Sequence, residues 1–262
     1  MKYGFIGCGN MGGALAEALT VETKDVMLSD RSGNGRQLAE TFGCTYGTAT
    51  EVAETCSRIF IAVKPNMVQS VLAPLQPILA EKKPLLISMA AGLKISTIES
   101  YAGVALPVIR IMPNTPVCVG KGMIPYCCNN LVDTDTLEDF LSDMFASGHW
   151  DCIDESLMDT ASALSGSGPA YLYRFVEALR DSAIQCGFPE DKALDYVVQT
   201  LIGAGEMLNQ GAGTPAQLRE AVCSPGGSTL AGLKALEDAG FDNCVNACIR
   251  AAYNRNIELG KQ

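Results

Sequence analysis

The sequence predicts an α/β chain in which an N-terminal Rossmann-type, doubly wound parallel sheet is followed by an all-α dimerisation domain. Three observations carry this. Short apolar runs alternate with helical patterns up to residue 153. A glycine hexad, Gly7-Cys8-Gly9-Asn10-Met11-Gly12, separates the first apolar run from the first helix. After Asp154 the strand signals stop and only helical runs remain. The implied division is residues 1–153 for a dinucleotide-binding domain and 154–262 for a helical substrate and dimerisation domain.

In the first part, residues 3–7, 26–29, 59–63, 85–88 and 108–112 read as buried parallel strands, because each is short, apolar and bounded by Gly, Pro or polar residues. Residues 10–21, 34–42, 65–80 and 95–101 read as the helices between them, with Pro65 at the first turn of its helix. Residues 119–128 add one or two strands, 134–145 a helix and 148–152 a last short strand. The second part reads as helices over 157–164, 169–186, 189–209, 215–221, 229–238 and 241–259. Along 192–209, Ala193, Leu194, Val197, Val198, Leu201, Ile202, Ala204, Met207 and Leu208 leave few faces polar, so this helix should be buried all round. A helical domain of about 100 residues buries several such helices with difficulty. The expectation is a tightly packed or helix-swapped homodimer; the alternative is a monomeric bundle with this helix at its centre.

Composition narrows the classes of function. Apolar residues make up 48% of the 262 and charged residues 18%, as in a globular chain with a large core. The net charge of −10 argues against nucleic acid and anionic membranes as partners, since both need a basic footprint. The 11 cysteines are odd in number and irregularly spaced, no C-x-x-C occurs and His149 is the only histidine, so no metal site is expected. Scattered cysteines, and a first strand that begins without a charged leader, read as a cytoplasmic protein with reduced thiols.

The hexad has chemical meaning at this place. Gly7 allows a tight turn, Gly9 lets a pyrophosphate approach the backbone, Gly12 allows close helix–strand packing, and Asn10 and Met11 open the helix whose N–H groups face the phosphates. At the end of the second strand stand Asp30, Arg31 and Ser32. An acidic residue there suits the ribose hydroxyls of NAD, whereas arginine and serine suit the 2′-phosphate of NADP, so the cofactor reads as NADP or NAD. Ligands of open α/β sheets bind at the carboxyl ends of strands, which brings in Val63, Lys64, Pro65, Ala91 and Asn114. Lys64 reads either as an acid or cofactor contact, or as a helix-start residue offering only its backbone. Asn114, between two prolines, reads as a ligand to the carboxamide or substrate, or as a turn residue. In the helical part, Ser224-Pro225-Gly226-Gly227-Ser228-Thr229 precedes a helix and forms either a carboxylate receptor or a plain turn capped by Ser228.

The segments GCGNMG, AVKPN, AAG, R-x-MPNTP, SGSGPAY and CSPGGSTLAGLKALE occur in this order from Gly4 to near the C-terminus. Together they resemble the pyrroline-5-carboxylate reductase family. The resemblance implies reduction of the cyclic imine 1-pyrroline-5-carboxylate to L-proline, the last step of proline synthesis. It implies that Ser224, Gly227, Ser228 and Thr229 cradle the substrate carboxylate and ring nitrogen, with Thr229 as the candidate catalytic residue. It also implies that this loop comes from the partner subunit or lies at the domain junction. The 3-hydroxy-acid dehydrogenases of similar architecture use a lysine in a K-x-x-x-N pattern, and residues 171–186 contain no lysine. An iminium needs no proton donor when it takes up hydride, so this absence suits an imine substrate. Two other readings remain open: a reductase of a related imine or hydroxy acid, and a dinucleotide-binding protein without turnover. The hydroxyls of the 224–229 loop speak against the last.

Overall fold

The computed structural model describes residues 1–260. They fall into two compact units, Met1–Pro169 with residues 251–260, and Ala170–Arg250.

The first unit runs β1 (Tyr3–Ile6), α1 (Asn10–Glu22), β2 (Val26–Ser29), α2 (Asn34–Phe42), β3 (Thr45–Tyr46), α3 (Ala49–Thr55), β4 (Arg58–Ile61), α4 (Val68–Leu72), α5 (Gln76–Lys82), β5 (Leu85–Ser88), α6 (Ile95–Ala102), β6 (Val108–Ile111), β7 (Gly122–Cys128), α7 (Thr134–Asp143), β8 (Gly148–Cys152) and α8 (Met158–Ala161). One eight-stranded sheet has the order β3-β2-β1-β4-β5-β6-β7-β8. Its first six strands are parallel and β7 runs antiparallel to β6. Successive side chains point to opposite faces, so each strand feeds two cores. Ile6, Ile59, Ile61 and Leu86 join α3–α6 on one side. Tyr3, Phe5, Leu28, Phe60 and Ile87 join α1 and α7 on the other, where the Phe5 and Phe60 rings stack at 4.2 Å. The strand order reverses between β1 and β4, and such a switch point opens a crevice beyond the carboxyl ends of the strands.

Several expectations are corrected. The single helix expected over 65–80 is a 3₁₀ turn (Pro65–Met67), α4, a second 3₁₀ turn (Ala73–Leu75) and α5. Pro74 and Pro77 lack the N–H that would continue the helix and sit at the starts of the pieces that follow. The strand expected from 119 begins at Gly122, after a 3₁₀ turn over Thr115–Val119. The helix expected over 157–164 is the turn Glu155–Leu157, α8 and a π turn over Ser162–Gly166. Both β3 and α3 were unexpected; β3 has two residues, and α3 starts on a Thr48/Glu51 capping box that the T-x-x-E spacing encodes. Residues 154–169 are tied to the sheet and fall within the first compact unit. Met158 is fully buried, and the buried Arg110 pairs with Glu155 at 3.1 Å and Asp159 at 3.5 Å.

The second unit holds most of α9 (Gly168–Gln185), α10 (Glu190–Asn209), α11 (Pro215–Ala221), α12 (Ser228–Asp238) and the first half of α13 (Phe241–Leu259). Phe175 meets Phe241, and Phe188 meets Tyr196 edge-on at 4.8 Å. In the single chain α10 is not buried all round. Ala193 is buried, but Leu194, Tyr196, Val198, Leu201, Ile202, Met207 and Leu208 are exposed, so the alternative of a monomeric bundle around α10 does not hold. Among the described residues no helix is long and apolar enough to cross a membrane.

Candidate dinucleotide site and the glycine–serine loop

The turn after β1 is built from constraints that only glycine meets. Gly7 has φ +109°, and its N–H donates to the Ser29 carbonyl at 2.7 Å, tying the turn to β2. A Cβ on Gly12 would run into the Gly7 carbonyl and come within 3.0 Å of the Ala62 Cβ, so α1 packs close against the end of β4. Gly9 differs from both. Its φ is −71°, and a Cβ there would meet nothing within 4 Å. Nothing in the protein itself requires glycine at this position; the open space lies where a ligand would approach. Gly9 is also the N-cap of α1, without a side-chain cap bond and with no acidic residue in the first turn. The first N–H groups of α1, at Asn10, Met11 and Gly12, therefore point outward with the positive end of the helix dipole behind them.

Two hollows adjoin this turn and share Gly9, Ala62, Val63 and Lys64. The larger, about 660 Å³, is walled by the glycine turn, by Asp30, Arg31 and Ser32 after β2, by Tyr46 and Thr48, and by Val63, Lys64 and Met67. The smaller, about 260 Å³, lies between the start of α1 and Met89, Met112 and Pro113. A long groove with a phosphate cradle in the middle, a polar ribose end and an apolar end fits a nicotinamide dinucleotide. Gly7, Gly9, Asn10, Met11, Gly12, Asp30, Arg31, Ser32, Val63 and Lys64 all line it. Pro65 and Ala91 do not; Pro65 opens its 3₁₀ turn, and Ala91 lies half-buried beside the tight Gly92 turn.

At the ribose end, Asp30 accepts a short hydrogen bond from the Ser32 hydroxyl through Oδ2, while its Oδ1 is buried without a donor. The Cys8 thiol beneath it donates to the Ser29 carbonyl, and burial together with the neighbouring Asp30 charge pushes its pKa up to about 12. Cys8 is therefore a neutral spacer, not a nucleophile. Lys64 is exposed and caps the Pro65–Met67 turn with its carbonyl, which accepts from the Met67 N–H at 2.8 Å. Its backbone is thus in use, while its side chain borders both hollows. The Asn114 side chain is held within the protein. It is 7% exposed, its amide donates to the Ser165 carbonyl at 2.9 Å, and its side-chain oxygen accepts from the Met123 N–H at 2.9 Å. Sequence reasoning missed Tyr46, Thr48, Met67, Met89 and Met112 as lining residues. Of these only Thr48 had a local signal, its capping box; the others arrive through the sheet order.

The 224–229 loop lies in the helical unit. Gly226 has φ +72°, the Gly227 N–H donates to the Ser224 carbonyl at 2.9 Å, and a Cβ on Gly227 would collide with the Ser224 hydroxyl. Gly227, not Ser228, is the N-cap of α12, without a side-chain cap bond and with no acidic residue in the first turn. Ser224, Ser228 and Thr229 are exposed. This leaves a helix N-terminus with hydroxyls around it that do not cap it, which is the chemistry of an anion receptor.

Fold and groove together define a dinucleotide-dependent oxidoreductase that uses NADP or NAD. Comparisons with known proteins narrow this. Residues 155–259 match the family described as "Pyrroline-5-carboxylate reductase dimerisation", and residues 2–92 match "NADP oxidoreductase coenzyme F420-dependent". The pyrroline-5-carboxylate reductase of Synechocystis sp. is 34% identical, with 100% of this chain and 99% of the relative covered. A Plasmodium falciparum pyrroline carboxylate reductase crystallised with NADP bound is 32% identical, with a TM-score of 0.88 over 99% of this chain and 98% of that one. A Coxiella burnetii pyrroline-5-carboxylate reductase is 33% identical, with a TM-score of 0.90 over 100% and 99%. The chain belongs to the pyrroline-5-carboxylate reductase family, and its match to the dimerisation domain supports a homo-oligomer.

Proposed function

We propose that this chain reduces 1-pyrroline-5-carboxylate to L-proline with NADH or NADPH, the last step of proline synthesis, as a homodimer joined through its helical domain in the cytoplasm. The family relation over the whole chain carries this reading. When bound, the reduced nicotinamide supplies the hydride. The chain's residues orient, neutralise and exclude water. The N–H groups of Asn10, Met11 and Gly12 hold the pyrophosphate charge at the start of α1. Met89, Met112 and Pro113 form an apolar wall at the far end of the groove, which keeps water from the hydride path. Ser224, Gly227 and Ser228 bind the substrate carboxylate at the start of α12, and the Thr229 hydroxyl bonds the ring nitrogen. The iminium carbon accepts the hydride, the C=N π pair moves to nitrogen, and a neutral amine results. No alkoxide forms, so no side chain has to supply a proton to oxygen. The eleven cysteines are all unpaired, as suits a reducing compartment.

The test is oxidation of NADH and NADPH at 340 nm with racemic pyrroline-5-carboxylate and the purified protein. Turnover with either cofactor is expected; none with both would defeat the reading. Replacing Thr229→Val should lower kcat by at least ~tenfold with dinucleotide affinity intact. Near-normal turnover would remove Thr229 from the chemistry.

A further inference from the structure

We infer that Asp30 makes this chain prefer NADH over NADPH, by accepting a hydrogen bond from the adenosine ribose diol and repelling a 2′-phosphate. The inference rests on the reading of the chain as a nicotinamide-dinucleotide reductase and goes one step further, to which dinucleotide it prefers.

The carboxylate is held in place from several sides. It follows the last residue of β2 and stands in the wall of the larger hollow. The Tyr46 hydroxyl donates to the Asp30 carbonyl at 3.2 Å and pins its backbone. The Asn34 amide donates to the Cys8 carbonyl at 2.5 Å, closing the 30–34 turn onto the glycine loop. Gly33 takes φ +83° to start α2, and a Cβ on Gly35 would come within 3.0 Å of Asp30 Oδ1. Glycine at position 35 thus lets the first turn of α2 lie against the carboxylate. That turn carries no acidic residue.

This fixed charge is also incompletely paired. Oδ2 has the Ser32 hydroxyl, but Oδ1 is buried with no donor in the protein. Asp30 lines the larger hollow, and a carboxylate at the end of the second strand of such a sheet can accept hydrogen bonds from a ribose diol. A 2′-phosphate has no proton to give near neutral pH and would bring up to about two negative charges beside a carboxylate. The groups that would welcome it are committed elsewhere or solvated. The Ser32 hydroxyl is turned toward Asp30, Arg36 lies over the Tyr46 ring at 4.9 Å, and Arg31 is exposed, where solvent and salt screen its charge. The preference is a ratio and not an exclusion, since Arg31 still borders the hollow.

The test is calorimetric titration of the full-length protein with ADP-ribose and with 2′-phospho-ADP-ribose, without any imine present. ADP-ribose should bind at least ~tenfold more tightly. In Asp30→Asn, which keeps the shape and removes the charge, that ratio should shrink at least ~tenfold, mainly through tighter binding of the phosphorylated ligand. Asp30→Ser, read the same way, replaces Asp30→Asn if the latter does not melt cooperatively. Equal or tighter binding of 2′-phospho-ADP-ribose by the unaltered protein overturns the inference, as does a ratio unchanged by the substitution. Binding of neither ligand would instead overturn the dinucleotide-reductase reading itself.

Discussion

Two glycines of one turn answer to different masters. Gly7 is required by its own backbone, with φ +109° and the Ala62 carbonyl in the way of any side chain. Replacing Gly7→Ala should cost roughly 1–3 kcal/mol in urea unfolding, ligand or no ligand. Gly9 has ordinary φ and open space, so Gly9→Ala should leave the unfolding midpoint unchanged or slightly raised. The same change should weaken dinucleotide binding at least ~tenfold, because the new methyl occupies the approach to the α1 amides. Undiminished binding by Gly9→Ala would sink the cradle as drawn. The thiols give a second check at this scale. Burial pushes Cys127, like Cys8, up to about 12, and burial raises Cys56 as well. Alkylation of the native protein at pH 8 should therefore spare these three and modify the exposed Cys118 and Cys152.

Among elements, two ionic clusters decide what is tied to the sheet. On β6, Arg110 is 2% exposed and reaches Glu155 and Asp159, and Glu155 also accepts the Ile95 N–H at 2.7 Å. One carboxylate thus fastens the turn before α8 to both β6 and the start of α6. Glu155→Ala strands a buried guanidinium and an amide, and should lower stability by roughly 2–4 kcal/mol in urea unfolding. At the other end of the sheet, Arg58 pairs with Asp139 at 2.6 Å and Asp143 at 3.3 Å, and Lys2 meets both carboxylates. Hydrogen bonds from Lys2 and then Arg58 hold the Asp139 carboxyl below the ordinary carboxylate range. A group whose pKa is lowered by folding stabilises above its unfolded value, near 3.9, and loses that contribution as pH falls through the folded value. Asp139→Asn should therefore flatten the drop in urea midpoint between pH 5 and pH 3, and an unchanged drop would show that the pair contributes nothing.

At the scale of the whole molecule, the uncovered helix is the clearest feature. Ile202 of α10 is 58% exposed, and Leu194, Leu201, Met207 and Leu208 are exposed with it. An apolar surface of this kind fits an interface between copies of the chain. Light scattering should give a mass of at least twice the 27.7 kDa of one chain, and Ile202→Asp should shift it toward the single chain and reduce turnover. A fully active monomer at micromolar concentration would contradict the dimer.

How much of this could be read from the sequence follows from the range of each constraint. The Gly7–Gly12 turn, the parallel strands and the 224–229 loop were legible, because positive φ, missing Cβ atoms and apolar periodicity are local properties written in consecutive residues. The breaks at Pro74 and Pro77 are local as well, since each proline lacks the N–H of a continuous helix, although the apolar pattern runs through them. What needed the tertiary structure was set by residues far apart in the chain. The partners of the Asn114 amide, Ser165 and Met123, stand 51 and 9 residues away. Residues 154–169 are tied to the sheet because Arg110 finds its carboxylates 45 and 49 residues away. That the Ser32 hydroxyl faces the Asp30 carboxylate while Arg31 is exposed is visible only in the folded chain. By itself the sequence determined a dinucleotide-binding turn and a resemblance to one reductase family, since each of those signals is a short run of consecutive residues. Only the folded chain decided which polar groups are already paired and which are left for a ligand, because a hydrogen-bond partner is chosen by proximity in space and not by order along the chain.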